Sequence, residues 1–99
     1  MSRPKYYWYS MVKKMVMKYP QIKEENSIQT SIYVMAIEKS LEETEKLQNG
    51  EERVKAIRKI YFERKKTYAG VAQEMNYSER TIRNWTSSFI NLCGKNAGF

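Results

Sequence analysis

Apolar residues recur at helical spacing through most of the chain, and the places where the recurrence breaks divide it into helices. In residues 5–19, Trp8, Met11, Val12, Met15 and Tyr19 form one wide stripe, with Lys13, Lys14 and Lys18 largely off it. Pro4 suits the first turn of such a helix and Pro20 ends it. The run Tyr6, Tyr7, Trp8, Tyr9 is denser than one stripe can bury, so some rings meet another element or the surface. Residues 21–26 read as a polar linker. Ser27 can cap a second, long helix to about Gln48, with Asn49-Gly50 as its stop. In this helix Ile28, Ile32, Met35 and Ala36 share one side, whereas Val34, Ile37 and Leu41 lie nearly opposite. A helix apolar on two sides lies between two partners. One is the first helix; the other is a second element of the same chain or a second copy, which would make a homodimer. Beyond Glu38 the helix turns acidic and predicts a half that projects into solvent or faces another protein. A third helix, residues 51–64, has Glu51 and Glu52 at its positive end and Val54, Ile57, Ile60 and Tyr61 as its stripe.

The last third holds a different pattern. Val71, Ala72 and Met75 fall at helical spacing, Asn76 follows, and a second set, Ile82, Trp85, Phe89 and Leu92, begins after Ser78. Asn enters the left-handed region at low cost, so Asn76 can end the first of these helices in one residue. Ser78 can cap the second, with Glu79 at the positive end of its dipole, Tyr77 buried in the turn and small Ala72 where the helices approach. Glu79, Arg80, Arg83, Asn84 and Ser87 then face outward, with Thr81 at their edge. Gly94 is the predicted end, and Phe99 can dock on the domain or on a partner. Two Arg, an Asn and a Ser on one face are suited to guanine edges, adenine edges and phosphates in a major groove. The pattern reads as a helix-turn-helix. Two amphipathic helices joined by a tight turn for packing alone would look similar.

Charge separates these readings. The net charge of +7 is unevenly spread: residues 1–23 carry +6, residues 24–52 carry −6 and residues 53–99 carry +7. Two basic ends around an acidic middle favour a polyanionic partner met on a confined face. Arg64, Lys65 and Lys66 precede the pair of helices, where cations lie near a DNA backbone and add affinity without sequence preference. Ninety-nine residues make one domain, all-α with about five helices. Residues 1–66 would serve packing and dimerisation, and residues 67–99 would bind double-stranded DNA.

Candidate chemistry is sparse. There is no His and a single Cys, Cys93, so no disulfide forms within the chain and a zinc site lacks its usual ligands. The carboxylates make no catalytic constellation, and no Gly-rich phosphate loop is present. The expectation is a protein that is not an enzyme, with no catalytic residue, metal, cofactor or small-molecule substrate. Without a transmembrane-length run or a signal-peptide core, a cytosolic location is expected.

The stretches PKYYWYSMVKKMVMKYP, SLEETEKLQNGEERVKAI and YSERTIRNWTSSFINLCGKNAGF resemble the ArpU-like family of phage and prophage regulators, related to RinA-type activators. The last stretch also looks like region 4 of sigma factors. The resemblance spans nearly the whole chain and implies a phage transcriptional regulator, an activator of late genes, acting in the cytoplasm of a bacterial host cell, with host RNA polymerase as a further candidate partner. Two other classes stand beside it. One is a small terminase-like DNA-recognition component of phage packaging; the other is an interaction module docking on RNA polymerase.

Overall fold

The computed structural model describes residues 7–25 and 28–99. Among them the fold is all-α. The helices are α1 (Tyr9–Met17), a one-turn α2 (Tyr19–Ile22), α3 (Ile28–Glu45), α4 (Gly50–Ile57), α5 (Tyr68–Met75) and α6 (Glu79–Asn96). Between α4 and α5 the backbone continues as a π-helical segment, Arg58–Glu63. The proposed cap Ser27, together with Pro4, Lys5 and Tyr6, lies outside the described residues.

α6 is the axis of the molecule and packs against α1, α3, α4 and α5. Val12, Val16, Ile37, Ile57, Val71, Ile82, Phe89 and Ile90 are fully enclosed in one continuous core. It draws on both the first two-thirds of the chain and the closing pair of helices. Burial of such side chains contributes about 1.5–3 kcal/mol each.

Several expected boundaries move, each for an identifiable reason. Pro20 does not end helical structure but opens α2, because a first-turn position needs no backbone N–H from it. The expected linker is therefore partly helical, and Ile22 within it is buried. On α1 the inward stripe is Trp8, Val12 and Val16, while Met11 is exposed and Met15 half-buried. The third helix loses α geometry at Arg58. Ile60 and Tyr61 are buried within this segment as their stripe requires, and it closes on Arg64, a left-handed residue with φ 55°.

On α3 one apolar side is covered and the other is not. Ala36 and Ile37 are buried and Val34 and Leu41 half-buried, whereas Ile28, Ile32 and Met35 are exposed. Ala36 thus belongs with the inward face rather than with the isoleucines. Nor does the acidic half project freely, since Ser40 and Thr44 are buried. Ser40 Oγ donates to the Ala36 carbonyl at 2.7 Å and accepts from Asn96 Nδ2 at 2.9 Å. Asn96 also donates to Glu43 Oε1 at 2.8 Å, joining the far end of α6 to α3.

Gly94 does not terminate α6. A Cβ there would stand 2.1 Å from Cζ3 of Trp8, so glycine is what lets the indole lie flat against the helix. The helix stops instead at Gly98, φ 98°. The Gly98 N–H donates to the Lys95 carbonyl at 3.2 Å and the Phe99 N–H to the Gly94 carbonyl at 2.9 Å, the paired bonds of a Schellman motif. Phe99 then stacks on Trp8 with ring centroids 5.6 Å apart.

Candidate nucleic-acid interface

The junction of α5 and α6 is fixed by local chemistry. Thr67 caps α5, its Oγ1 accepting from the Gly70 N–H at 3.1 Å. At the other end Asn76 is left-handed, φ 63°, and the Asn76 and Tyr77 N–H groups donate back to the Gln73 and Ala72 carbonyls. That is a second Schellman closure, with Asn where glycine is commoner. Ser78 caps α6 by accepting from the Thr81 N–H at 3.1 Å. Tyr77 is half-buried, its ring edge-on to Trp85 at 4.8 Å. Val71, Ala72, Ile82 and Trp85 close the seam beneath. This geometry sets where α6 begins and which of its sides turns outward.

That outward side carries Glu79, Arg80, Arg83 and Asn84, all exposed within the first two turns. Arg83 is held in place. Its Nε and Nη2 donate to Glu79 Oε1 at 3.1 and 2.8 Å, and its guanidinium lies 4.2 Å from the centroid of the Tyr68 ring. Arg80 and Asn84 are exposed with no side-chain partner among the described residues. Thr81 and Ser87 are half-buried. The Thr81 hydroxyl pairs with that of Ser78 at 2.9 Å, and Ser87 Oγ accepts from the Tyr9 hydroxyl at 3.0 Å. Both sit at the margin of the face, and Ser78 is engaged as a cap.

The cations before α5 divide in two. Arg64 and Lys65 are exposed, whereas Lys66 is ion-paired with Glu74 of α5. Glu74 also accepts from Lys59 Nζ of the π segment at 2.7 Å. Flanked by two ammonium groups, the Glu74 carboxyl is held down at about 2, and its pull raises Lys59 above the ordinary lysine value. The bridge pins the linker of residues 64–67 against α5.

A cleft of about 410 Å³ opens where α1, the π segment and the N-terminal ends of α5 and α6 meet. Lys13, Lys66 and Arg83 stand around it, with Tyr68 as a wall and Glu79 as its carboxylate. Lys13 was legible only as a residue off the first stripe; its place beside Arg83 comes from the packing of α1 on α6. Tyr68 was not distinguishable in the sequence at all, because nothing there marks it as the ring under Arg83. Cys93 is buried and its thiol is pushed up to about 12 by desolvation, which leaves it in the thiol form at neutral pH. Tyr61, which lines the cleft, is likewise shifted upward by burial.

Among the described residues no group of three or more His, Cys, Asp or Glu is placed to hold a metal ion, and no helix is long and apolar enough to cross a membrane. Set against known family models, curated proteins and solved structures, the chain matches none of them.

Proposed function

We propose that this chain is a sequence-specific double-stranded DNA-binding regulator whose α6 enters the major groove by its N-terminal half. One observation carries the reading. Arg80, Arg83 and Asn84 open together on the first two turns of a helix whose start is fixed by a capped, left-handed turn. Arg and Asn are the side chains that pair bidentately with guanine and adenine edges, and the N-terminal turns of a recognition helix are the part that reaches them.

Lys13, at the cleft beside Arg83, and Arg64 and Lys65, exposed in the linker before α5, would serve as backbone contacts, with Lys66 available once a phosphate displaces Glu74. In this role Glu79 and Tyr68 preorganise Arg83, so that less rotamer entropy is lost on binding. Thr81, Ser87 and Ser78 are marginal to base readout because each already serves a contact within the fold. The resemblance to ArpU-like regulators supports a setting in phage or prophage transcription. A direct test compares a preferred duplex with a scrambled one for the wild type and Arg83→Ala. The proposal requires the variant to discriminate less between the two while still binding both.

A further inference from the structure

The least explained surface is the outer side of α3. Ile28, Ile32 and Met35 are 87, 58 and 70% exposed and recur at one helical spacing, so they form a single strip. Met11 of α1 adjoins α3 through Tyr33, whose hydroxyl lies 3.8 Å from its sulfur. Together they present on the order of several hundred Å² of apolar surface, the size at which a patch on a soluble chain marks an interaction site.

The charges at the two ends of the strip say what fits it. Glu24 and Glu25 precede it and Lys39 comes after it, all exposed. Glu24 and Glu25 belong to the segment before α3, so they mark an acidic end to the strip opposite the basic end at Lys39. The strip is therefore complementary to itself when reversed. We propose that it is the contact with a second copy of this chain, the two α3 helices packed antiparallel about a two-fold axis at Ile32. In that register Ile28 of one copy packs near Met35 of the other, and Lys39 comes alongside the other copy's Glu24 and Glu25. A parallel pairing would instead oppose Lys39 to Lys39 and is disfavoured. Nucleic acid does not suit the strip, because Lys39 is the one cation within α3 and the other charges of that helix, Glu38, Glu42, Glu43 and Glu45, are acidic. An isologous contact of this kind is the simplest closed assembly, and it leaves α6 free on each copy.

Dimerisation through α3 is independent of DNA binding, and its test uses no DNA. Sedimentation equilibrium of the full chain across the micromolar range is expected to give twice the mass of the chain. Ile32→Lys is expected to give the single mass with an unchanged helical circular-dichroism spectrum. Lys39→Glu should weaken dimerisation roughly ten- to a hundredfold, and adding Glu24→Lys and Glu25→Lys should restore it. Ile32→Cys under mild oxidation should yield a disulfide-linked dimer, a readout independent of any loss of affinity. The wild type remaining a monomer throughout, as it would if another segment of the chain covered the strip, overturns the proposal. So does a dimer indifferent to Ile32→Lys.

Discussion

Arg83 is the residue on which the base-readout proposal turns. It is held by Glu79 and Tyr68 through Nε and one Nη2 hydrogen, which leaves Nη1 and the second Nη2 hydrogen for a guanine edge. If Arg83 is bidentate to a guanine, Arg83→Ala costs about 1–3 kcal/mol on the preferred duplex and relaxes one base position. Quantitative binding to single-base variants of that duplex checks this, and equal losses on preferred and random duplexes would contradict it. Glu74 makes a second prediction, with opposite effects on stability and on binding. Its carboxyl lies at about 2 in the fold against an ordinary 4.5, so its contribution is full above about pH 4.5 and is lost as pH falls towards 2. Glu74→Gln should lower the urea midpoint at neutral pH and flatten its fall across that acid window. The same change frees Lys66 and should tighten binding to random duplex at low salt. The residues of the outward face were legible in the sequence because periodicity orients a helix whose stripe is clear. The partners Glu74 and Tyr68 were not, since an ion pair or a cation over a ring across two elements leaves no mark at fixed spacing.

At the scale of elements, the ends of the helices decide the architecture more than their interiors do. Asn76 and Ser78 were readable as stop and start because each acts on the backbone of its nearest neighbours. Gly94 was not, because glycine has two uses and the sequence does not say which applies. Here it makes room for Trp8, while Gly98 supplies the positive φ that stops the helix. Gly94→Ala should accordingly destabilise the fold by about 1–3 kcal/mol, as overpacking does, despite alanine's better helix propensity. Thermal or urea unfolding measures it, and a neutral or stabilising result would contradict the close approach of the indole. The π-helical turn was hidden for a related reason: one added residue in a turn rotates the next turn of the helix without altering which residues are apolar.

For the whole molecule, the class was legible, and so were Val71, Ala72, Ile82, Trp85 and Phe89 in the closing pair of helices. Leu92, however, is only half-buried while Ile90 and Thr86 are enclosed, and the fate of α3 was only half legible. Its buried Ser40 and Thr44 read as polar surface, yet both are small, and Ser40 satisfies its hydroxyl within the fold. Burial without apolarity defeats a reading based on stripes. The separation of charge along the chain carries the functional proposal at this scale. The basic segment of residues 53–99 holds the face of α6 together with Arg64, Lys65 and Lys66, and the acidic middle lies largely on α3. Lys66→Ala should weaken binding to every duplex alike and make the dependence on salt shallower by about one unit. A loss confined to one sequence would instead assign Lys66 to base readout.

Selection of bound duplexes from a random pool at near-physiological salt, followed by sequencing, bears most directly on the central claim. An enriched motif is expected, with two inverted half-sites if α3 joins two copies. Salt-sensitive binding without enrichment would reduce α6 to a backbone contact and favour a packaging component. No binding to any duplex would favour an interaction module, and either result would contradict sequence-specific recognition.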